Sequence, residues 1–163
     1  MASETAVAPQ SSAWKRREVP KDHSCLFSSL VYLVKGADVF NKTMDRYVAV
    51  GALRKFCADT VRGQPDDWPE WKLGREPSEY ADWIIKSTSW GGEIELLILS
   101  KHLNVEVCVV DMVTRRISSY NSDSDASKVG RVHILYTGLL HQTTLHSRKF
   151  VFMCAVFRGR PTL

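Results

Sequence analysis

The chain has 163 residues, of which 44% are hydrophobic and 25% charged, and its formal net charge is +4. These values are typical of a soluble globular protein with one domain. The basic residues are spread along the sequence without interleaved aromatic residues, so we expect no nucleic-acid partner. The apolar stretches are too short to span a bilayer, and the start of the chain does not resemble a signal peptide, so we expect no membrane partner.

Four cysteines, at positions 25, 57, 108 and 154, form neither a CxxC pair nor a zinc-type spacing. The last three lie among apolar residues, where a buried and reduced thiol is expected. This usage predicts a reducing compartment, the cytoplasm or the nucleus. We expect a monomer that needs neither a metal nor an organic cofactor.

The first segment, residues 1–17, is small, polar and then basic, which predicts a disordered N-terminal tail before one domain of residues 18–163. The polar turn Asp22-His23-Ser24 then leads into an apolar run that starts at Cys25. Asp22 and Ser24 are both good N-cap residues, and the apolar spacing is helical. We therefore predict a helix that begins at or just before Cys25 and ends near Lys35-Gly36.

Residues 38–44 resemble a loop, and a second helix is predicted over 45–62 before a Gly/Pro-rich break at 63–69. This polar stretch, which continues beyond the break, contains Trp68, Trp71 and Leu73. They are either core anchors of a loop, which we favour, or an apolar surface for a protein partner. A short helix is predicted from Pro77.

Two glycines precede a further helix that is predicted to run to about Leu103, and they allow the backbone to approach another segment closely. Glu93 and Glu95 near its start complement the helix dipole, which is a sufficient structural reason for them. Strands are predicted over 105–110, 114–120, 131–136 and 149–157. Helices followed by strands indicate an α+β fold with a mostly antiparallel sheet.

Cys25 is the candidate nucleophile, because a thiol at a helix N-terminus is favoured as the thiolate and the free N–H groups of that turn can hold an oxyanion. Alternatively, Cys25 is a small buried hydrophobe, and the motif alone does not decide between the two. A catalytic cysteine also needs a base, normally a histidine that is distant in sequence. Of the five histidines, His141 and His146 lie between the last two predicted strands, and by position we favour His141.

Several stretches together resemble the ovarian-tumour (OTU) domain cysteine proteases. The stretch 19–27 resembles their Asp-x-x-Cys-Leu-Phe nucleophile motif, and Trp90-Gly91-Gly92-Glu93-Ile94-Glu95 resembles the OTU1/YOD1-type branch. Residues 79–84, 106–111 and 131–138 resemble the same branch, so the resemblance covers about residues 18–145.

The resemblance implies a papain-like cysteine protease fold and a deubiquitinase, which hydrolyses the isopeptide bond between a ubiquitin C-terminus and a lysine. Its partners would be ubiquitin, polyubiquitin and ubiquitinated proteins. Cys25 would be the nucleophile, His141 the base, and the Asp22 loop would offer backbone N–H groups to the oxyanion. The channel for the Gly-Gly tail of ubiquitin would be lined by Trp90, Gly91, Gly92 and Glu93.

The sequence departs from the family pattern after the third strand. The branch usually reads Tyr-Asp-Gly-x-His-Tyr-Asp there, the last Asp orienting the histidine. Here Thr143 occupies the position of that acid, and His146 is the alternative base. Two other hypotheses therefore stay open: a catalytically impaired, ubiquitin-binding pseudoenzyme, and an α+β interaction module without ubiquitin affinity.

Overall fold

The computed structural model describes residues 16–122, 130–137 and 155–157. Within these ranges the chain forms six helices and five strands. The helices are α1 (Cys25–Lys35), α2 (Ala37–Asn41), α3 (Thr43–Gly63), α4 (Glu70–Leu73), α5 (Pro77–Ile84) and α6 (Glu93–His102). The strands are β1 (Arg16–Glu18), β2 (Val105–Asp111), β3 (Ile117–Tyr120), β4 (Gly130–Tyr136) and β5 (Ala155–Phe157).

Helix α1 is the central helix of the core, and it begins and ends where the sequence predicts. Nearly all of its residues from Cys25 to Leu33 are buried. The helix ends because Gly36 adopts a positive φ of 86° and its N–H donates to the Tyr32 carbonyl. The nucleophile candidate therefore stands at the N-terminus of a helix that the core holds in place.

The predicted loop over residues 38–44 is wrong, because α2 covers most of it and α3 already begins at Thr43. Burial of Phe40 accounts for the helical conformation of this segment. The Phe40 ring packs edge-on against the ring of Tyr32, with the two centroids 5.3 Å apart. A five-residue helix is too short to show a periodic pattern in the sequence.

The apolar residues of the polar stretch around the Gly/Pro-rich break were expected to be either core anchors or an apolar surface for a partner, and the structure shows one answer for two of them and another for the third. Trp68 and Leu73 are buried in the core, whereas Trp71, on the short helix α4, is 84% exposed. The core interpretation is thus confirmed for two of the three residues and wrong for Trp71.

The strands form one sheet of order β1-β5-β4-β2-β3, and the helices pack around it, which confirms the α+β class. Three of the four pairings are antiparallel, and the central pair, β2 with β4, is parallel. In that pair Asp111 lies opposite Tyr136, so the carboxyl ends of both strands lie at one edge of the sheet. Of the predicted fourth strand, residues 155–157 belong to the described part.

The boundary of the predicted N-terminal tail is wrong by at least two residues. Arg16 and Arg17 belong to β1, which pairs antiparallel with β5, and the Arg17 side chain donates to Asn41 at 2.6 Å. Charged residues are common on an edge strand, because one of its sides faces solvent. The rest of the predicted tail, residues 1–15, lies outside the described residues.

Within the part of the chain that the structure describes, no helix combines the length and the apolar character needed to cross a membrane.

Candidate active site

Cys25 is the first residue of α1, and none of its surface is exposed. The hydroxyl of Ser29 donates to the Cys25 carbonyl at 2.8 Å, within the first turn of the helix. A substrate therefore reaches the sulfur only if the atoms that cover it move aside.

The turn before Cys25 is held together by its own hydrogen bonds. The N–H of Asp22 donates to Pro20 O at 3.0 Å, and the N–H of Cys25 donates to Asp22 O at 3.2 Å. The Asp22 carboxylate accepts the N–H of Ser24 at 2.8 Å. The Asp22 side chain thus stabilises the turn. For this loop to bind an oxyanion, its N–H groups must exchange these local acceptors for the substrate oxygen.

A buried arginine on α3 connects this turn to other parts of the site. Arg54 is 2% exposed, and its guanidinium donates to the carbonyl of His23 and the hydroxyl of Ser24, both at 3.0 Å. It also donates to the carbonyls of Ile84 and Ser89, both at 2.9 Å. One side chain therefore fixes the loop before Cys25, the end of α5 and the segment that leads to Trp90.

The segment Trp90-Gly91-Gly92 lies directly against α1. A Cβ atom on Gly91 would lie 2.8 Å from the Phe27 ring and 2.9 Å from the Leu26 side chain, so this position accepts glycine alone without a shift. The Trp90 ring lies 4.6 Å from that of His23. The predicted close approach at Gly91 is confirmed, and packing against α1 is its cause. At Gly92, by contrast, a Cβ would meet nothing within 4 Å.

Glu95 has a larger role than complementing the dipole of α6. It is 1% exposed, and its carboxylate accepts the N–H of Gly92 at 2.7 Å and the hydroxyl of Tyr80 at 2.6 Å. Burial raises the pKa of Glu95, although these two hydrogen bonds and the charge of Arg54 oppose the shift. Glu95 thus ties the start of α6 to α5, whereas Glu93 is exposed at the first position of α6.

Tyr136, at the carboxyl end of β4, has Cys25 among its electrostatic neighbours. Burial raises the pKa of Tyr136, and the negative charges of Asp111 and of the Cys25 thiolate add to this effect, so the end of β4 is within electrostatic range of the nucleophile candidate. His141 follows Tyr136 by five positions along the chain. His141, His146 and Thr143 lie outside the described residues, so their roles stay predictions.

The other histidines have structural surroundings of their own. His102 is the last residue of α6, and its ring stacks on Phe56 with centroids 3.6 Å apart. His133 lies within β4, where burial and the nearby Arg131 lower its pKa.

Cys25, Cys57 and Cys108 are buried, and none of the three forms a disulfide. Burial raises the pKa of Cys57, with Glu95 adding to the shift and Arg54 opposing it. Among the described residues, no three His, Cys, Asp or Glu side chains are grouped as metal ligands would be.

Three residues with a role in the site were not predicted from the sequence: Arg54, Ser89 and Tyr80. The signal for Arg54 was available: it stands on the apolar face of α3, between Val50 and Cys57, where a solvated charge is not expected. Ser89 and Tyr80 carried no such signal, because the partners of each are distant in sequence.

Comparison with known proteins gives consistent matches. Residues 20–148 match the family described as OTU-like cysteine protease. The chain is 40% identical over 124 residues to the ubiquitin thioesterases OTU1 of Rattus norvegicus and Homo sapiens, a match that covers 76% of this chain but only 34% and 33% of theirs. The chain thus spans about a third of the length of these relatives. A solved ovarian tumour (OTU) domain in complex with ubiquitin is similar with a TM-score of 0.67 and 26% identity, over 88% of this chain and 69% of that one.

Proposed function

The chain belongs to the OTU-like cysteine protease family, and from this premise we propose that it is a deubiquitinating thiol isopeptidase. Its α+β fold is the OTU-type papain-like fold that the resemblance implied. The substrates would be polyubiquitin and ubiquitinated proteins, cleaved between the ubiquitin C-terminus and a lysine. The observation that carries the proposal is that relatives 40% identical to this chain are named ubiquitin thioesterases, and that the family match includes both Cys25 and His141.

In the first half of the proposed reaction, the Cys25 thiolate attacks the carbonyl carbon of the ubiquitin C-terminal glycine. The negative charge that develops on the carbonyl oxygen is held by N–H groups of the loop around Asp22. The C–N bond then breaks, His141 gives its proton to the leaving lysine amine, and ubiquitin stays bound to Cys25 as a thioester.

In the second half, water attacks the thioester and His141 accepts a proton from it. The bond between the sulfur and the carbonyl carbon breaks, which regenerates the Cys25 thiolate, and ubiquitin leaves as a carboxylate after the second proton of the water passes to solvent. The segment Trp90-Gly91-Gly92-Glu93 would guide the Gly-Gly tail. The position of Gly91 against α1, the helix that carries Cys25, supports this assignment.

The test uses ubiquitin that carries a C-terminal electrophile, together with di-ubiquitin as substrate. We expect the wild-type protein to form a covalent adduct and to cleave di-ubiquitin, and Cys25→Ala to do neither. Cys57→Ala is the matched control, since Cys57 is also a buried free thiol, and we expect it to keep both properties while losing some stability.

Three results would contradict the proposal. Equal losses of activity in Cys25→Ala and Cys57→Ala would remove Cys25 from its role as nucleophile. Binding of ubiquitin without an adduct would favour the pseudoenzyme, and the absence of any binding would favour an interaction module.

We also propose that the protein acts as a monomer in the cytoplasm or the nucleus. That Cys25, Cys57 and Cys108 form no disulfide supports a reducing compartment, because an oxidising one favours disulfides.

A further inference from the structure

We propose that Arg54 is a positioning residue of this active site, which joins the Cys25 loop to the segment before Trp90 and holds a fixed positive charge near the Cys25 sulfur. The inference rests on the proposed role of Cys25 as the nucleophile. Arg54, on α3, would hold the Cys25 loop and the segment before Trp90 in the relative position that the proposed reaction needs.

The geometry of the guanidinium carries the first part of the inference. Its four acceptors belong to three segments: His23 and Ser24 before the nucleophile, Ile84 at the end of α5, and Ser89 just before Trp90. These segments are 30 to 35 residues away from Arg54 in sequence. A planar group with five N–H donors can satisfy acceptors in several directions at once, which a lysine ammonium does not reproduce.

The nature of the acceptors carries the second part. All four are neutral oxygens, namely three carbonyls and one hydroxyl, and the Arg54 Cζ lies 4.3 Å from the centre of the Phe27 ring. Among the described residues, therefore, no carboxylate binds the guanidinium directly and neutralises its positive charge. A buried charge of this kind is costly unless it stabilises negative charge nearby.

The guanidinium donates to Ser24, the residue directly before Cys25, at 3.0 Å, so a thiolate at Cys25 would lie within its electrostatic range. Burial lowers the pKa of Arg54, and the negative charges of Glu95, Asp22, Cys57 and Cys25 oppose that shift. An electrostatic interaction acts equally on both partners, so the guanidinium also favours the thiolate form of Cys25. The charge of Arg54 also favours the thiolate form of Cys57, but burial has the larger effect and raises the pKa of Cys57.

The test measures thiolate formation at Cys25 separately from catalysis. The full-length protein is alkylated with iodoacetamide at a series of pH values, and the rate at each cysteine is read by mass spectrometry. Trypsin cleavage after Lys21 and Lys35 gives a peptide with Cys25 as its single cysteine, and cleavage after Lys55 and Arg62 gives one for Cys57. Cleavage of di-ubiquitin gives kcat and KM for the same samples.

Three variants are compared with the wild type. Arg54→Met removes the charge and the hydrogen bonds, and Arg54→Lys keeps only the charge. Arg62→Met is the matched control, because Arg62 lies on the same helix but is exposed and pairs with Asp82. In this variant the tryptic peptide that contains Cys57 ends at Lys72 instead. Circular dichroism establishes which variants are folded. If Arg54→Met does not fold, Arg54→Gln, which loses the charge but keeps two donors, replaces it.

We expect the midpoint of Cys25 alkylation to rise by about one pH unit in the neutral variant and to stay near the wild-type value in Arg54→Lys. We expect kcat to fall roughly tenfold in Arg54→Lys with little change in KM, because the lysine cannot hold both segments at once. Arg62→Met should match the wild type in both measurements. A purely structural arginine would lower the melting temperature without moving the midpoint.

Two results separate failure of this inference from failure of the proposed function. If Cys25 is the reactive and essential thiol but its midpoint is unchanged in a folded neutral variant, or if Arg54→Lys keeps the wild-type kcat, the role of Arg54 is overturned and the function stands. If Cys25→Ala still cleaves di-ubiquitin, the proposed function fails, and the inference fails with it.

Discussion

Gly91 and Phe27 lie so close together that a methyl group on Gly91 would stand 2.8 Å from the Phe27 ring. Phe27 is fully buried in α1, two residues after Cys25, so its ring cannot move away freely. The segment that leads into α6 is therefore held in register with the helix that carries the nucleophile candidate. This contact links the two motifs on which the family resemblance depends.

The first prediction concerns this contact. Gly91→Ala should lower the free energy of unfolding by about 1–3 kcal/mol, because the added methyl must displace a packed ring. It should also reduce cleavage of di-ubiquitin. Gly51→Ala is the matched control, since a Cβ there meets nothing within 4 Å and the residue lies inside α3. That variant should gain roughly 0.5–1 kcal/mol through helix propensity. Urea unfolding measures both changes, and equal effects of the two substitutions would contradict the proposed contact.

The second prediction is a pH dependence that arises from Glu95. Burial raises the folded-state pKa of Glu95 above its ordinary value of 4.5. The folded protein therefore binds this proton more tightly than the unfolded chain. The stability that results is fully present below about pH 4.5 and is lost as the pH rises through the folded-state pKa. Its size is about 1.4 kcal/mol for each unit of pKa difference.

Glu95→Gln isolates this effect, because the amide has almost the same volume and does not titrate. We expect the stability of the wild type relative to Glu95→Gln to increase as the pH is lowered from 8 towards 4.5, measured by urea unfolding at each pH. Tyr80 and Arg54, which lie beside Glu95 and can carry a charge, are present in both proteins. Their own contributions to the pH dependence of stability therefore largely cancel in the difference between the two proteins. If the difference in stability between the two proteins is constant over this pH range, burial does not raise the pKa of Glu95.

The third prediction separates the two tryptophans that follow α3. Trp68 is 8% exposed, and the Lys72 ammonium lies 4.2 Å from its ring centre, whereas Trp71 is 84% exposed. Trp68→Ala should cost about 3–5 kcal/mol, as for other buried aromatic residues. Trp71→Ala should change the stability by less than about 0.5 kcal/mol. Thermal or urea unfolding of the two variants checks this, and similar losses in both would place Trp71 in the core.

Comparing these elements shows what the sequence could predict. Helix α1 was predicted from Cys25 to Lys35, because its polar turn, its apolar spacing and Gly36 are all local signals. The close approach at Gly91 was likewise predictable, because two adjacent glycines before a helix imply limited space or an unusual backbone. Signals of this kind depend on residues a few positions apart.

The remaining features depend on contacts between distant segments. The bonds from Arg54 to the carbonyls of Ile84 and Ser89, and from Tyr80 to Glu95, have no local pattern, because backbone carbonyls occur at every residue. The parallel pairing of β2 with β4 could not be predicted either, because the pattern of a strand shows which of its faces is buried but not which strand lies beside it. Arg54 had a local signal in its place on the apolar face of α3, but its hydrogen-bond partners, and the burial of Glu95, depend on tertiary surroundings.

The last prediction concerns the base. The family resemblance assigns this role to His141 and leaves Thr143 at the position of the orienting acid. His141→Ala should abolish cleavage of di-ubiquitin, and His146→Ala should leave most of it. Thr143→Asp should raise kcat several-fold, because a carboxylate stabilises the imidazolium that forms when Cys25 is deprotonated.

The pH profile of kcat/KM distinguishes this effect from a change in stability. An added carboxylate raises the pKa of the histidine, so the alkaline limb of the profile should move to higher pH in Thr143→Asp. Thr143→Asn has a similar size and no charge, and it should leave that limb in place. If His146→Ala is the inactive variant instead, the assignment of His141 is wrong, and an acid that supports His146 must be sought in its place.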